Sequence, residues 1–193
     1  ALGEKPHLGK SRSKQIVIDS PVLSTEQFAK LLEQESVPCK TIDILFEPSS
    51  SDSNKNEASL LQAIDARAAE AAEFAIEFGG MLVLTDRNIS SKMAAIPLPL
   101  VMSAVNQKLI EAGLRLKVSV VIDSGQVVSS HQISCALGFG ASAVHPYLIR
   151  WRAEELFSGD EKTGAMHRFK KAAEKALMKT MGKVGLCTVE SYI

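Results

Sequence analysis

Three short apolar runs between residues 79 and 148 decide the fold, namely Met81-Leu-Val-Leu-Thr85, Lys117-Val-Ser-Val-Val-Ile122 and Ala141-Ser-Ala-Val144. Segments of helical length separate them, Leu98 to Ala112 and Val128 to Leu137. Strands that are apolar on both faces and alternate with helices belong to a parallel sheet that is covered on both sides. The sequence therefore predicts an α/β domain built from parallel β/α units.

Such units form either a doubly wound sheet or an open or partial TIM-barrel-like domain. The run Gly138-Phe-Gly-Ala-Ser-Ala-Val144 favours the second arrangement, because its small residues let a helix end and a strand pack closely. The remaining strand candidates are Gln15 to Ile18, Thr41 to Phe46 and Lys183 to Val189. The remaining helix candidates are a segment opened by the capping box Ser24-Thr-Glu-Gln27, Ala58 to Phe78, a segment through Leu156, and Met166 to Met181 ended by Gly182.

The chain is predicted to divide into an extended N-terminal arm (1–14), a central α/β domain (15–157) and a linker helix with a truncated strand (158–193). Lys+Arg and Asp+Glu balance at 22 each, so neither a nucleic acid nor an anionic membrane is an expected partner. The cysteines Cys39, Cys135 and Cys187 are widely spaced, which indicates reduced thiols in the cytoplasm or a plastid. No apolar run is long enough to span a membrane.

Candidate chemistry lies after the central strands, where α/β proteins place their sites. Asp86 and Arg87 follow one strand, Asp123 follows the next, and His145 follows the third. Two carboxylates could perform acid–base chemistry, and His145 could serve as a base or a ligand. The structural interpretation, which we favour, is that the aspartates cap helices or bind Arg87, and that His145 is a hydrogen-bonding residue in a fixed turn. The histidines and cysteines form no metal-ligand pattern.

A phosphate-binding barrel would carry glycine-rich turns directly after its late strands. In this sequence Gly138 and Gly140 come before a strand, and His145-Pro146-Tyr147 follows it. Ser124-Gly125 is the only small turn in the right place. The sequence therefore predicts no cofactor site at this end of the sheet.

Several segments, in the same order, resemble the large chain of glutamate synthase. They are Asp19-Ser-Pro-Val-Leu-Ser24, Leu82-Val-Leu-Thr-Asp-Arg87, Ala94 to Pro97, Leu109-Ile-Glu-Ala-Gly-Leu-Arg115, Gly138 to Val144 with Pro146-Tyr-Leu148, and Lys183 to Tyr192. The resemblance covers nearly the whole chain. It implies the central domain of that family plus the first strand of the FMN-binding domain that follows it.

The resemblance further implies a non-catalytic domain that links two catalytic modules of the same chain. These are a glutamine amidotransferase and an FMN- and 3Fe–4S-containing synthase, and the central domain would help to wall the ammonia route between them. The whole enzyme would make glutamate from glutamine and 2-oxoglutarate. Catalytic and metal-binding residues are expected outside this chain, and only Gly185, Leu186, Cys187 and Thr188 could face the flavin, with simple strand packing as the favoured interpretation.

The chain also departs from the family pattern. Asn106, Gln107 and Lys108 stand where the family tends to have histidines, and His131-Gln132 replaces a histidine pair. Asp123 stands where a glutamate is usual, and the last strand also varies. We expect a divergent member, with the electron donor left open among NADPH, NADH and ferredoxin.

The alternative hypothesis is a stand-alone small β/α-barrel enzyme or binding protein that uses Asp86, Arg87, Asp123 and His145 around an anionic metabolite. It predicts stabilisation by such a ligand, whereas the linking-domain hypothesis predicts none. A truncated last strand would leave an unpaired edge, so we also expect self-association of the isolated domain.

Overall fold

The computed structural model describes residues 1–6, 14–48 and 52–192. In chain order the strands are β1 (Leu2–Gly3), β2 (Gln15–Ile16), β3 (Cys39–Asp43), β4 (Leu45–Phe46), β5 (Gly80–Thr85), β6 (Ala94–Ala95), β7 (Val118–Asp123) and β8 (Ala141–His145). The helices are α1 (Thr25–Glu33), α2 (Ser53–Glu77), α3 (Leu98–Glu111), α4 (Ser130–Gly138), α5 (Tyr147–Leu156) and α6 (Asp160–Val184). The predicted α/β class is confirmed.

The central sheet has the strand order β3-β5-β7-β8, and all of its neighbouring strands are parallel. Each successive parallel strand extends the sheet in the same direction, from β3 to β8. Right-handed crossovers therefore place all the intervening helices on one face of the sheet, as in a β/α barrel. In agreement, α2 contacts α3, α3 contacts α4, and α4 contacts α6. The sheet is therefore a partial barrel-like wall with one continuous helical layer.

Both faces of the sheet are buried. One face carries Leu82, Leu84, Val120 and Ile122 into a large core shared with the helical layer. The other carries Met81, Val83 and Val121 into a smaller core under α1 and β1. All six residues of β5 and all six of β7 are buried, which explains their unbroken apolar runs.

The antiparallel pair β1 and β2 covers part of the second face. Leu2 is fully buried, and the Gly3 N–H donates to Ser119 Oγ at 3.1 Å. The start of the predicted N-terminal arm is thus packed on the sheet, and residues 7–13 of that arm lie outside the described residues. The strand predicted over Thr41–Phe46 is divided, since β3 joins the parallel sheet while β4 pairs with β6 in antiparallel fashion.

The strand predicted over Lys183–Val189 is wrong. Helix α6 passes through Gly182 and ends at Val184, and Gly185 then adopts φ +81° with its N–H bonded to the Met181 carbonyl. A glycine in this left-handed conformation is a common helix end, so the stop signal lies at Gly185 and not at Gly182. A 3₁₀ turn over Val189–Tyr192 follows.

The helix α6 also packs against the rest of the molecule. Its residues Ala173, Leu177 and Met181 are buried in the main core. The predicted boundary at residue 158 remains a prediction. In the described part of the chain, no helix combines the length and apolarity needed to cross a membrane.

Candidate functional site

The carboxyl ends of β5, β7 and β8 bring the sequence candidates together. In the parallel register Thr85 pairs with Asp123, and Asp123 pairs with His145. Asp86 and Arg87 continue directly from β5. The residues Asp86, Asp123 and His145 are all buried, at 0%, 2% and 2% exposure. We call Thr85, Asp86, Arg87, Asp123 and His145 the strand-end cluster.

Asp123 receives two hydrogen bonds on each carboxylate oxygen. Its Oδ2 accepts from Thr85 Oγ1 at 2.9 Å and from Arg87 Nε at 2.6 Å. Its Oδ1 accepts from Arg87 Nη2 at 2.9 Å and from His145 Nδ1 at 2.7 Å. The bidentate pairing with Arg87 is a strong charge-assisted arrangement. Since a carboxylate offers about four acceptor positions, Asp123 is saturated by its own chain.

Asp86 is saturated in the same way, but by neutral donors. Its Oδ1 accepts from the Gly125 N–H at 2.9 Å and from the Tyr147 hydroxyl at 2.8 Å. Its Oδ2 accepts from Ser124 Oγ at 2.6 Å and from Gln126 Nε2 at 3.1 Å. Asp86 therefore fixes the turn after β7 and the start of α5 relative to β5.

His145 and Tyr147 join the cluster to its surroundings. His145 Nε2 lies 3.1 Å from Thr25 Oγ1, and its ring stacks on Phe28 with centroids 4.6 Å apart. The Arg87 guanidinium lies over the Tyr147 ring, 4.3 Å from its centroid, in a cation–π contact. Burial and the hydrogen bond to Asp86 raise the pKa of Tyr147, so its hydroxyl stays protonated as a donor.

The structural interpretation of the aspartates is only partly met. Asp123 binds Arg87 as expected, whereas neither Asp86 nor Asp123 caps a helix among the described residues. The caps of α3, α4 and α5 are Pro97, Ser129 and Pro146. The aspartates instead bond across strands, because the parallel register places each beside donors from its neighbours.

The pKa of the Asp123 carboxyl is lowered. Burial raises this pKa, but the hydrogen bonds and positive charges of His145 and Arg87 outweigh the effect of burial. A group whose pKa is lower in the folded state contributes stability that is complete above its unfolded pKa of about 3.9. That contribution is lost as the pH falls through the folded-state pKa.

We therefore expect the stability difference between the wild type and Asp123→Asn to shrink in acid. Below about pH 4 the carboxyl takes up a proton in the unfolded chain while it stays ionised in the fold, so its contribution to stability begins to fall. Below the lowered folded-state pKa it is protonated in the fold as well and resembles the amide of the variant. Urea unfolding at about pH 6 and about pH 3 measures the difference in free energy of unfolding. A difference that is equal at both pH values would contradict the lowered pKa.

The backbone donors that could cradle a phosphate are used within the cluster. The N–H groups of Ser124, Gly125 and Gln126 donate to His145 O, Asp86 Oδ1 and Ser124 Oγ at 3.2, 2.9 and 3.0 Å. Phosphate sites need such N–H groups to be available to the ligand. The three N–H groups of the turn after β7 are therefore occupied by acceptors of the chain itself, and the absence of a cofactor site remains a prediction.

The described residues do not contain a group of three or more His, Cys, Asp or Glu side chains placed to hold a metal. The segment Gly185–Thr188 follows α6, with the Leu186 N–H bonded to the Met181 carbonyl and Cys187 exposed. A role of this segment toward a flavin remains a prediction.

Asn106, Gln107 and Gln132, which the sequence analysis named as expected departures, make local bonds in the structure. Asn106 Oδ1 accepts from Arg115 Nε, and Gln107 Nε2 donates to Glu111 at 3.0 Å. Gln132 Oε1 accepts from the Val128 N–H at 2.9 Å and from the Ser129 hydroxyl at 3.1 Å. The bonds of Asn106 and Gln132 hold α3 and α4 to the turns beside them, while the bond of Gln107 lies within α3.

Sequence reasoning found the four central members of the cluster and missed their partners. Tyr147 and Gln126 lie within three residues of predicted members, so their proximity along the chain was a usable signal. Thr25 lies 120 positions from His145 and comes from α1 on the second face of the sheet. No sequence pattern connects these two residues.

Comparison with known proteins places this fold in a family. A family model described as the glutamate synthase central domain matches residues 1–193. The chain is 33% identical over 202 residues to the chloroplastic ferredoxin-dependent glutamate synthase of Spinacia oleracea, covering 96% of this chain and 12% of that protein. It is 31% identical over 199 residues to the glutamate synthase [NADPH] large chain of Bacillus subtilis, covering 100% of this chain and 12% of that protein.

A third relative is the glutamate synthase [NADH] of Schizosaccharomyces pombe, 28% identical over 200 residues, with 98% of this chain and 9% of that protein covered. The chain thus spans about an eighth or less of the length of these relatives. The match over all residues and the order of the shared segments lead to one assignment: the chain belongs to the glutamate synthase central domain family.

Proposed function

We propose that this domain carries none of the synthase chemistry and serves as a structural link in a glutamate synthase. In this proposal it joins a glutamine amidotransferase module to a synthase module containing FMN and a 3Fe–4S cluster, and it walls the ammonia route between them. The whole enzyme makes glutamate from glutamine and 2-oxoglutarate, in the cytoplasm or a plastid. The names of the relatives, which include chloroplastic and bacterial glutamate synthases, support this proposal.

One observation carries the proposal. Each oxygen of Asp86 and of Asp123 receives two hydrogen bonds from the chain itself. A carboxylate that acts as a general base must reach a proton on the substrate, and one that binds a ligand must offer a lone pair. The buried carboxylates at the strand ends are therefore suited to holding three strands and α5 in a fixed geometry.

The same observation weakens the alternative of a stand-alone enzyme or binding protein for an anionic metabolite. Arg87, the cation that would attract the anion, already engages Asp123 with Nε and Nη2. Binding an anion there would require breaking a bidentate ion pair with a buried partner, which is costly. Arg87, Asp123 and His145 satisfy one another, whereas Asp86 is satisfied by Tyr147 and by the turn after β7.

The first test uses this chain alone. We expect purified protein to be colourless after incubation with FMN and gel filtration, and to show flat melting curves with 2-oxoglutarate and with a sugar phosphate. A saturable rise in melting temperature that disappears in Arg87→Gln would instead support the metabolite-binding alternative. Retention of flavin absorbance would contradict the proposal directly.

The second test uses a complete glutamate synthase carrying this domain. We expect Asp123→Asn to loosen the domain, so that some ammonia reaches the medium and less glutamate forms per glutamine hydrolysed. Asp43→Asn, at an exposed position that contacts Asn88, is the matched control. Glutaminase activity checks that the neighbouring module is intact, and an unchanged yield despite a destabilised domain would contradict the role in the ammonia route.

A further inference from the structure

The strand-end cluster ends in the hydroxyl of a partly buried residue, Thr25. Thr25 is the first residue of α1 and is only partly buried, whereas His145 behind it is 2% exposed. The chain of contacts runs from Thr25 Oγ1 to His145 Nε2 at 3.1 Å, and from His145 Nδ1 to Asp123 Oδ1 at 2.7 Å. A hydroxyl, an imidazole and a carboxylate therefore lie in series, with the hydroxyl outermost.

The positions of the hydrogen atoms between Thr25, His145 and Asp123 follow from which atoms can accept a hydrogen bond. An ionised carboxylate only accepts, so the hydrogen between Asp123 and His145 belongs to Nδ1. When the imidazole is neutral, the other nitrogen, Nε2, is the acceptor, and the Thr25 hydroxyl donates to it. This is the arrangement in which a histidine can take the proton of an attacking hydroxyl while a carboxylate fixes its ring.

Two further features hold this geometry in place. The His145 ring is stacked on Phe28, one turn along α1 from Thr25, so both residues are fixed by the same helix. Asp123 is held by Arg87 and Thr85, which leaves the carboxylate no freedom to turn away from His145. The imidazole is thus held beside Thr25 by its stacking on Phe28 and its bond to Asp123.

Thr25 lies in the first turn of α1, where a helix carries backbone donors. Its capping box uses the Gln27 N–H, which donates to Ser24 Oγ at 3.2 Å, and the Phe28 N–H donates to the Ser24 carbonyl at 2.9 Å. The N–H groups of Thr25 and Glu26 precede these, at positions where a helix has no internal acceptor. Donors of this kind stabilise the negative oxygen of a tetrahedral intermediate.

We propose that Thr25 is a site of covalent acylation that reacts with small activated carboxylic esters. The Thr25 oxygen attacks the carbonyl carbon, a new carbon–oxygen bond forms, and the bond to the leaving alcohol breaks. The Thr25 proton passes to His145 Nε2 and then to the leaving oxygen, so no other reactant is needed. His145 acts as the general base and Asp123 is a positioning residue. The proposal is independent of the linking role described above.

The test uses p-nitrophenyl acetate and the 193-residue chain. We expect a burst of p-nitrophenolate approaching one equivalent per chain, with the acetyl group found on the peptide that contains Thr25. Ser59 is an internal control, because its hydroxyl donates to the Glu47 carbonyl at 2.8 Å and not to an imidazole of the described residues. General-base assistance predicts acetylation of Thr25 at least about 100-fold faster than that of Ser59.

Matched variants decide the outcome. Thr25→Val removes the hydroxyl and should abolish the burst, while Thr25→Ser should retain it. His145→Gln should slow acetylation of Thr25 by about 100-fold if its circular dichroism matches the wild type. Should His145→Gln fail to fold, the two Thr25 variants still decide, since neither removes a buried side chain. A burst that survives in Thr25→Val, or acetyl groups confined to lysines, would overturn the proposal.

Discussion

Asp123→Ala is expected to lower the free energy of unfolding by about 3 kcal/mol. The change leaves the buried His145 Nδ1 and the Thr85 hydroxyl without an acceptor, and it removes the partner of Arg87. Because the Arg87 side chain is 44% exposed, it can turn to water, which places the expected cost at the lower end of the range for broken buried pairs. Urea unfolding followed by circular dichroism measures the change.

The control for this prediction is Asp43→Ala. Asp43 also stands at the end of a strand, but it is exposed, and its carboxylate oxygens accept from Asn88 Nδ2 at 3.1 and 3.0 Å. We expect its loss to cost less than about 1 kcal/mol, as for other exposed polar contacts. Equal costs at both positions would show that burial of the Asp123 carboxylate contributes little.

This pair of variants also separates the two functional hypotheses. Residues of a working site are commonly held at some cost in stability, so removing them is often neutral or stabilising. Replacing residues of a structural link should instead lower the free energy of unfolding. A stable Asp123→Ala variant would therefore favour the metabolite-binding alternative over the linking domain.

The sequence was informative wherever a local pattern determined the structure. The apolar runs of β5, β7 and β8 required a covered parallel sheet, and polar residues directly after them required a cluster at its carboxyl edge. The capping box at Ser24 and Gln27 formed as predicted, with both reciprocal bonds present. These features depend on neighbours within a few residues, which a sequence displays directly.

The sequence was uninformative where distant elements meet. The series from Thr25 to Asp123 depends on α1 packing over the end of β8, and that packing is set by Phe28 and Leu31 in the second core. The failure at Lys183–Val189 has a different origin. Its β-branched and apolar residues resemble a strand, but the helical pattern of α6 continues to Val184 and is ended by the conformation of Gly185.

Gly80→Ala is expected to destabilise the domain by about 3 kcal/mol, comparable to the loss of Asp123, although Gly80 lies at the opposite end of β5. Gly80 has φ +115°, a conformation that residues with a Cβ rarely adopt. An added Cβ would lie 2.4 Å from the Pro38 carbonyl oxygen. That oxygen also accepts from the Met81 N–H at 2.8 Å, so moving it away would break a bond that positions β5 beside the segment leading into β3.

Gly113→Ala is the control, because Gly113 also has a positive φ but lacks the steric contact. Gly113 has φ +68°, and an added Cβ there would meet nothing within 4 Å. We expect it to cost only about 1 kcal/mol, the usual cost of a side chain in the left-handed region. Thermal and urea unfolding of both variants measure the difference. If Gly80→Ala lowers the free energy of unfolding no more than Gly113→Ala does, the close approach of β5 to Pro38 does not constrain the sheet. The geometry of the strand-end cluster must then be fixed by its own hydrogen bonds.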